Sequence, residues 1–317
     1  MSSGSRSIST GSTPRQQLLI ERAMLAGFLC AFAAGGFWSC SGIINSLSAR
    51  FKLDVRSYLL VNVLFTAMIC AVFTVRWTVF FTATTAFSAL FMLPAGIFNA
   101  CGALTLQRAL RTGNHAAVFL ISQSAMVFPF LSAVLFFGEN LSAKSIGGVL
   151  LIFAGMLTSA VPELRLRERS ADRRWLIYAL GAFVTLGISQ TLMSLPSHWN
   201  HCGDSAHART FLVYCGGSLL LLLSVIFPGE EKFRFSKMLA VGGGVTGIFN
   251  AISMALIFKA LDILSSHNLA GLVFSCAIAA SLVLFWIYAV LTIKEKRSLW
   301  QFCGILLTAS GGILTSL

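Results

Sequence analysis

The chain has 317 residues, 56% of them hydrophobic and only 11% charged, with a formal net charge of +12. A soluble domain carries about a quarter charged residues, so composition excludes an ordinary water-soluble globule and makes lipid the solvent for most of the surface. The basic residues stand between hydrophobic runs and form no face interleaved with aromatics, which argues for membrane topology and against a nucleic-acid partner.

Residues 1–22 form a tail that opens rich in Ser, Gly and Thr and lacks an apolar h-region. The expectation there is disorder and not a signal peptide. Ten segments then follow that are apolar enough to span a bilayer, for which about 20 residues are needed. They are residues 23–46, 58–75, 79–107, 115–137, 143–161, 175–196, 209–228, 238–260, 267–293 and 298–317. The runs are continuously apolar and do not alternate, so a transmembrane β-barrel is excluded. Pro94 falls inside the third segment and Pro129 inside the fourth. Each removes a backbone hydrogen bond, leaving open a packing kink or a hinge that lines a cavity. Seven of the eight Cys lie inside apolar runs, where they act as small hydrophobes, and no disulfide framework is expected.

The chain contains itself twice. Gly96-Ile97-Phe98-Asn99-Ala100 recurs as Gly247-Ile248-Phe249-Asn250-Ala251, displaced by 151 positions, and Ala109-Leu110 recurs as Ala260-Leu261. Nearer the ends of the two halves the displacement is 156, which matches Glu139 with Glu295, Gly148 with Gly304 and Gly155 with Gly311. A first repeat over 23–161 and a second over 175–317 are joined by a charged linker, 162–174. Each repeat holds five segments, an odd number, so the second enters the membrane inverted. The fold class expected is an all-α polytopic membrane protein of ten transmembrane helices in two inverted five-helix repeats. Sixteen of the 23 Lys and Arg fall on one side of this topology. The positive-inside rule then places the odd connections, including 162–174 and 229–237, in the cytoplasm and both termini outside.

Residues 115–119 read His-Ala-Ala-Val-Phe. Pro129 follows, then Gly138-Glu139-Asn140-Leu141-Ser142 and a glycine-rich segment with Gly148 and Gly155. This pattern, over essentially residues 23–317, resembles the drug/metabolite transporter superfamily and its ten-helix EamA-like branch. The second half departs from it: Lys294-Glu295-Lys296-Arg297-Ser298 replaces the Gly-Glu turn, and Phe285 stands where Pro129 would recur. The resemblance implies transport by alternating access of helices 1–4 and 6–9, with helices 5 and 10 as scaffold. By themselves, the spacings of Gly148 with Gly155 and Gly304 with Gly311 put each pair on one helix face, where neighbouring backbones can approach. Glu139 and Glu295 sit at tight turns, where they cap a helix, pair with nearby Lys144 or Lys294, or serve in gating.

Polar side chains deep inside spans have no partner in lipid and must face the protein interior or a wet cavity. The substrate-binding candidates are Trp38, Ser39, Asn45, Asn62, Asn99 and Gln123 in the first half. In the second they are Ser189, Gln190, Tyr214, Asn250, Ser253 and Ser275, with Asn268 also counted among the span residues. Asn99 and Asn250 are equivalent in the repeat, as are Trp38-Ser39 and Ser189-Gln190, so inverted symmetry draws them toward one mid-membrane site. No Asp or Glu lies deep in a segment; Glu21 and Asp262 sit at segment ends. That absence favours facilitated diffusion or exchange over proton-driven antiport. His115 and His267 begin the fourth and ninth segments, where they serve as interfacial hydrogen bonders or titrate near neutral pH. The His- and Cys-bearing loop 197–207 has no standard metal spacing.

No P-loop, HExxH or GxSxG motif occurs, so the chain reads as no enzyme and no ATPase, with no cofactor. The function expected is a secondary transporter for a small polar or amphipathic metabolite, amino acids first. A flippase for a lipid-linked metabolite and a non-transporting scaffold or receptor are the alternatives. Its partners are the solute and the lipid bilayer, its state a monomer or homodimer, and its expected location the bacterial inner (plasma) membrane.

Overall fold

The structure, a computed structural model, describes residues 14–74, 77–80, 83–112, 115–139, 141–167, 174–199, 206–226, 236–293 and 299–315. Among these there is no strand. Twelve α-helices run in chain order: α1 (Pro14–Arg50), α2 (Val55–Ile69), α3 (Trp77–Phe80), α4 (Ala83–Thr112), α5 (His115–Gln123), α6 (Val127–Phe137), α7 (Ala143–Arg167), α8 (Arg174–His198), α9 (Ala206–Ile226), α10 (Lys237–Ser265), α11 (Leu272–Tyr288) and α12 (Leu299–Thr315). Seven of the helical stretches are long and apolar enough to cross a membrane, and three shorter apolar ones cover 121–137, 143–158 and 302–315. Large apolar side chains stand outward, among them Phe73 at 80% exposure and Phe136 at 81%. Such a surface would aggregate in water and is natural against acyl chains. The protein is a multi-pass helical membrane protein.

Local signals set the ends. The Asp54 carboxylate accepts the Ser57 N–H at 2.7 Å and caps α2, and the Ser236 hydroxyl accepts the Leu239 N–H at 3.2 Å and caps α10. At the end of α6, Gly138 takes φ 64°, and the Glu139 N–H returns to the Ala133 carbonyl at 3.1 Å. This left-handed cap stops the helix and turns Glu139 back over the bundle.

The two internal prolines differ. α4 runs unbroken through Pro94. The fourth segment is interrupted by a 3₁₀ turn at Ser124–Met126, just ahead of Pro129. Proline has no N–H for the carbonyl four residues back, here that of Ala125, and the chain tightens there.

Three expectations are corrected at the edges. α1 begins at Pro14, so residues 14–22 are helical and not part of a tail; proline suits a first helical position, and Arg, Gln and Leu continue the helix well. The charged segment 162–174 is helical at both borders, since α7 runs to Arg167 and α8 starts at Arg174. α11 starts at Leu272, later than residue 267; Asn268 sits in the preceding turn at φ 57°, a conformation Asn tolerates, and is no span residue. Residues 1–13, 168–173, Cys202 with most of the 197–207 loop, the 227–235 connection and Glu295 lie outside the described residues.

Small residues decide the closest packing. A Cβ on Gly148 would meet the Gly311 carbonyl at 2.7 Å, and one on Gly155 would strike that of Gly304, so α7 and α12 lie backbone to backbone. Elsewhere α4 packs on α8 and α9, α10 on α1 and α2, and α11 on α1. Gly96 on α4 abuts the Val213 carbonyl of α9, and Gly247 on α10 abuts the Asn62 carbonyl of α2 at 3.2 Å.

Candidate functional site: a central amide-lined cavity

Between the paired helices lies a cavity of about 120 Å³. Eight of the sequence candidates line it: Trp38, Asn45, Asn62, Asn99, Gln123, Gln190, Tyr214 and Asn250. Asn99 and Asn250 therefore share one cavity. The other four do not reach it. Ser39, Ser189, Ser253 and Ser275 are buried between helices. Ser189 donates to the Ala95 carbonyl at 2.8 Å and Ser253 to that of Asn250 at 3.2 Å. Neighbours on a helix point about 100° apart, so Trp38 and Gln190 can face the cavity only if Ser39 and Ser189 turn toward packing helices.

The lining amides divide into held and open groups. Ser41 donates to the Asn250 side-chain oxygen at 2.9 Å, and the Asn250 nitrogen donates to the Asn62 oxygen at 3.1 Å, tying α1, α10 and α2 together. The Gln107 nitrogen donates to the Asn45 side-chain oxygen at 3.0 Å, tying α4 to α1. The side chains of Asn99 and Gln123 make no hydrogen bond among the described residues, and the oxygen of Gln190 is buried without one. Aromatic rings back the wall: Phe119 stacks on Phe285 with centroids 4.2 Å apart, and Trp38 on Phe274 at 6.3 Å.

Beyond the cavity, the end carrying the α6–α7 and α10–α11 connections is pinned by charge. Arg209 in α9 is fully buried, pairs with Asp262 in the last turn of α10, donates to the Ser197 hydroxyl at 2.9 Å and lies over the Phe258 ring. Beside it, Glu139 accepts the N–H groups of Ala270 and Gly271 at 3.0 and 2.9 Å, with His198 at 3.7 Å. Burial pushes the Glu139 carboxyl up from its ordinary value, and the two backbone donors oppose that shift. At the opposite end the side-chain pairs between helices are neutral: Tyr58 with Thr246 at 2.8 Å, and Ser46 with His115 at 2.9 Å.

Sequence reasoning singled out Glu139 and noted Asp262 but missed Ser41, Gln107 and the pairing of Arg209 with Asp262 and Ser197. Gln107 closed the third predicted segment and Arg209 opened the seventh, so both read as boundary residues. In sequence Arg209 is one of the 23 basic residues that set topology, and nothing beside it marks a buried cation. The usable signal was that Arg209 and Asp262 stand at adjoining segment ends of opposite charge. Glu139 does cap a helix, but the helix is α11, far along the chain, and not one beside it. Among the described residues no cluster of His, Cys, Asp and Glu could hold a metal ion.

No family model matches the sequence, nor does any curated protein. The architecture itself recurs in a protein of known crystal structure. The two superpose with a TM-score of 0.62 over 91% of this chain and 96% of that chain, at 16% identity. The likeness is one of fold.

Proposed function

We propose that the protein is a secondary transporter that carries a small polar metabolite through the central cavity by alternating access. On this reading it has ten spans in two inverted repeats and belongs with the EamA-like drug/metabolite transporters. The observation that carries the reading is the cavity: open amides sit in the middle of a lipid-facing bundle, between two separately pinned ends. A scaffold has no need of unpartnered polar groups held inside a membrane protein.

Packing supports the inverted arrangement. The contact of Gly96 with Val213 and that of Gly247 with Asn62 exchange under the same displacement of 151 positions. The contacts of Gly148 with Gly311 and of Gly155 with Gly304 exchange under 156. Such reciprocity is what any pseudo-two-fold axis between the halves produces, and an odd number of spans in each half would lay that axis in the membrane plane. The α7–α12 pair, locked by backbone contact, suits a scaffold, and the remaining helices suit moving parts.

The flippase reading stands second. One observation favours it: an open apolar groove of about 540 Å³ lined by residues of α1, the α1–α2 connection, α2 and α10, Lys237 among them. Groove and cavity have no lining residue in common.

Reconstitution tests the proposal. Proteoliposomes should show saturable counterflow for at least one member of a panel of amino acids, sugars, nucleobases and small amides. Asn99→Leu should reduce that flux about tenfold through a lost hydrogen bond. Scrambling of labelled lipid with no solute flux would replace this reading with the flippase.

A further inference from the structure

The cavity wall contains no Asp, Glu, Lys, Arg or His side chain among the described residues. It does contain three amide side chains, Asn99, Gln123 and Gln190, with bonding capacity unused by the protein. Each carboxamide offers a carbonyl acceptor and an NH₂ donor on one plane. A solute that itself carries a carbonyl and an N–H group in one plane satisfies both. The Gln190 oxygen, buried without a partner, needs a donor, and an amide N–H supplies it without bringing a charge.

An ion meets a different balance here. A carboxylate or ammonium leaving water for this wall finds no counter-charge, and an unpaired buried charge costs far more than a hydrogen-bonded neutral group. Arg209 cannot supply one, because it is committed to Asp262 and Ser197. The interruption between α5 and α6 does not supply one either. It is a 3₁₀ turn in which the Val127 N–H donates to the Ser124 carbonyl, and not an unwound helix start pointing at an anion.

Size points the same way: about 120 Å³ lies below the about 300–1,000 Å³ typical of pockets for drug-sized ligands, so the solute is small.

We propose that the central cavity selects small uncharged amides, meaning short primary carboxamides and ureas, over zwitterions and ions of equal size. The proposal rests on the transporter reading and names its substrate class. Its test uses the full-length protein in proteoliposomes and nanodiscs. Propionamide is set against glycine, and acetamide against acetate; each pair is matched in heavy-atom count and differs in charge. Counterflow is corrected for leak through protein-free vesicles, and calorimetry on nanodiscs gives the affinities. Propionamide should bind at least about tenfold more tightly than glycine, and acetamide should exclude acetate by a similar factor. Gln190→Leu should weaken propionamide binding about tenfold. Should that variant not fold, Gln123→Leu, at a less buried position, reads the same contact. Glycine binding as tightly as propionamide overturns the substrate class and leaves the transporter reading in place. Absence of binding by either solute overturns the class as well. The transporter reading falls separately, when no solute of the broad panel shows counterflow.

Discussion

The two ends of the bundle are held by different chemistry, although short segments of sequence recur between the halves that build them. At one end a guanidinium, two carboxylates and a hydroxyl interlock four helices and the start of a fifth. At the other, hydroxyl, imidazole and amide groups make neutral bonds, and the guanidinium of Arg111 reaches a backbone carbonyl and not a carboxylate. Under the displacement of 151 positions Arg209 corresponds to Tyr58, Asp262 to Arg111 and Ser197 to Ser46. The same backbone positions have thus been fitted with a buried ion pair at one end. At the other, Tyr58 pairs with Thr246, Arg111 donates to the Leu53 carbonyl, and Ser46 meets His115. Repetition supplies the frame, and divergence at a few positions sets which end yields first. On the proposed transporter reading, the end without a buried ion pair is the one expected to open first, which would make the conformation with the charged latch shut the resting one.

Ala109 and Ala260, equivalent in the repeat, fully buried and near opposite ends, make matched reporters of opening when replaced by cysteine in a background without other reactive thiols. The largest effect is expected from Asp262→Ala, which leaves the guanidinium of Arg209 buried without its counter-ion. Removing one partner of a buried pair costs about 3–5 kcal/mol. The Asp262 side chain is 36% exposed, which places the cost near the lower bound, about 3 kcal/mol. Labelling of Ala260→Cys should then rise more than a hundredfold, with Ala109→Cys little changed. Arg209→Met should cost much less, because Asp262 can turn to water while methionine fills the space. Equal losses for the two variants would erase the distinction between a buried ion pair and an ordinary contact.

Next in size is Glu139→Gln. A glutamine can accept from only one of the two N–H groups and turns a donor toward the other, for a loss of about 2 kcal/mol. The sign of its pH dependence follows from the raised carboxyl. The buried conformer retains a proton that an exposed carboxylate releases. Its advantage is complete below the ordinary carboxylate value and is lost as the pH climbs through the raised one. The ratio of labelling at Ala260→Cys to that at Ala109→Cys, which cancels the thiol's own titration, should therefore increase with pH across that window. Glu139→Gln should flatten it. A ratio that falls with rising pH would mean that the ionised carboxylate is the better latch.

The helices were legible from continuous apolar runs of membrane length, because lipid imposes internal backbone bonding on each run. The cavity was half legible. Asn99 and Asn250 announced themselves as polar groups in apolar surroundings at repeated positions. The helical phase that separates Trp38 from Ser39 was equally readable, and counting every polar residue ignored it. What no local pattern carried was the latch. Its members lie at helix ends, where charge is ordinary, and only the tertiary approach of α8, α9 and α10 buries Arg209. The left-handed turn at Gly138 aims Glu139 at amides more than a hundred residues away, a pairing of which neighbouring sequence holds no trace.

The smallest effect sharpens the comparison at the neutral end. Tyr58→Phe removes the hydroxyl that meets Thr246 at 2.8 Å. The Thr246 hydroxyl also donates to the Gly242 carbonyl at 2.8 Å, one turn back on its own helix. Within the pair Tyr58 is thus the donor and Thr246 the acceptor. Losing the donor strands no N–H or O–H group, and the phenyl ring keeps the packing of a side chain that is 1% exposed. The cost is that of one interhelical hydrogen bond in a membrane protein, about 0.6 kcal/mol. Labelling at Ala109→Cys should rise two- to threefold and leave Ala260→Cys unmoved. Thr246→Val should cost at least as much, since it strands the Tyr58 hydroxyl against an apolar surface. A Tyr58→Phe effect as large as that of Asp262→Ala would show the neutral end to be as firmly pinned as the charged one. The resting conformation would then have to be set by something other than the latch.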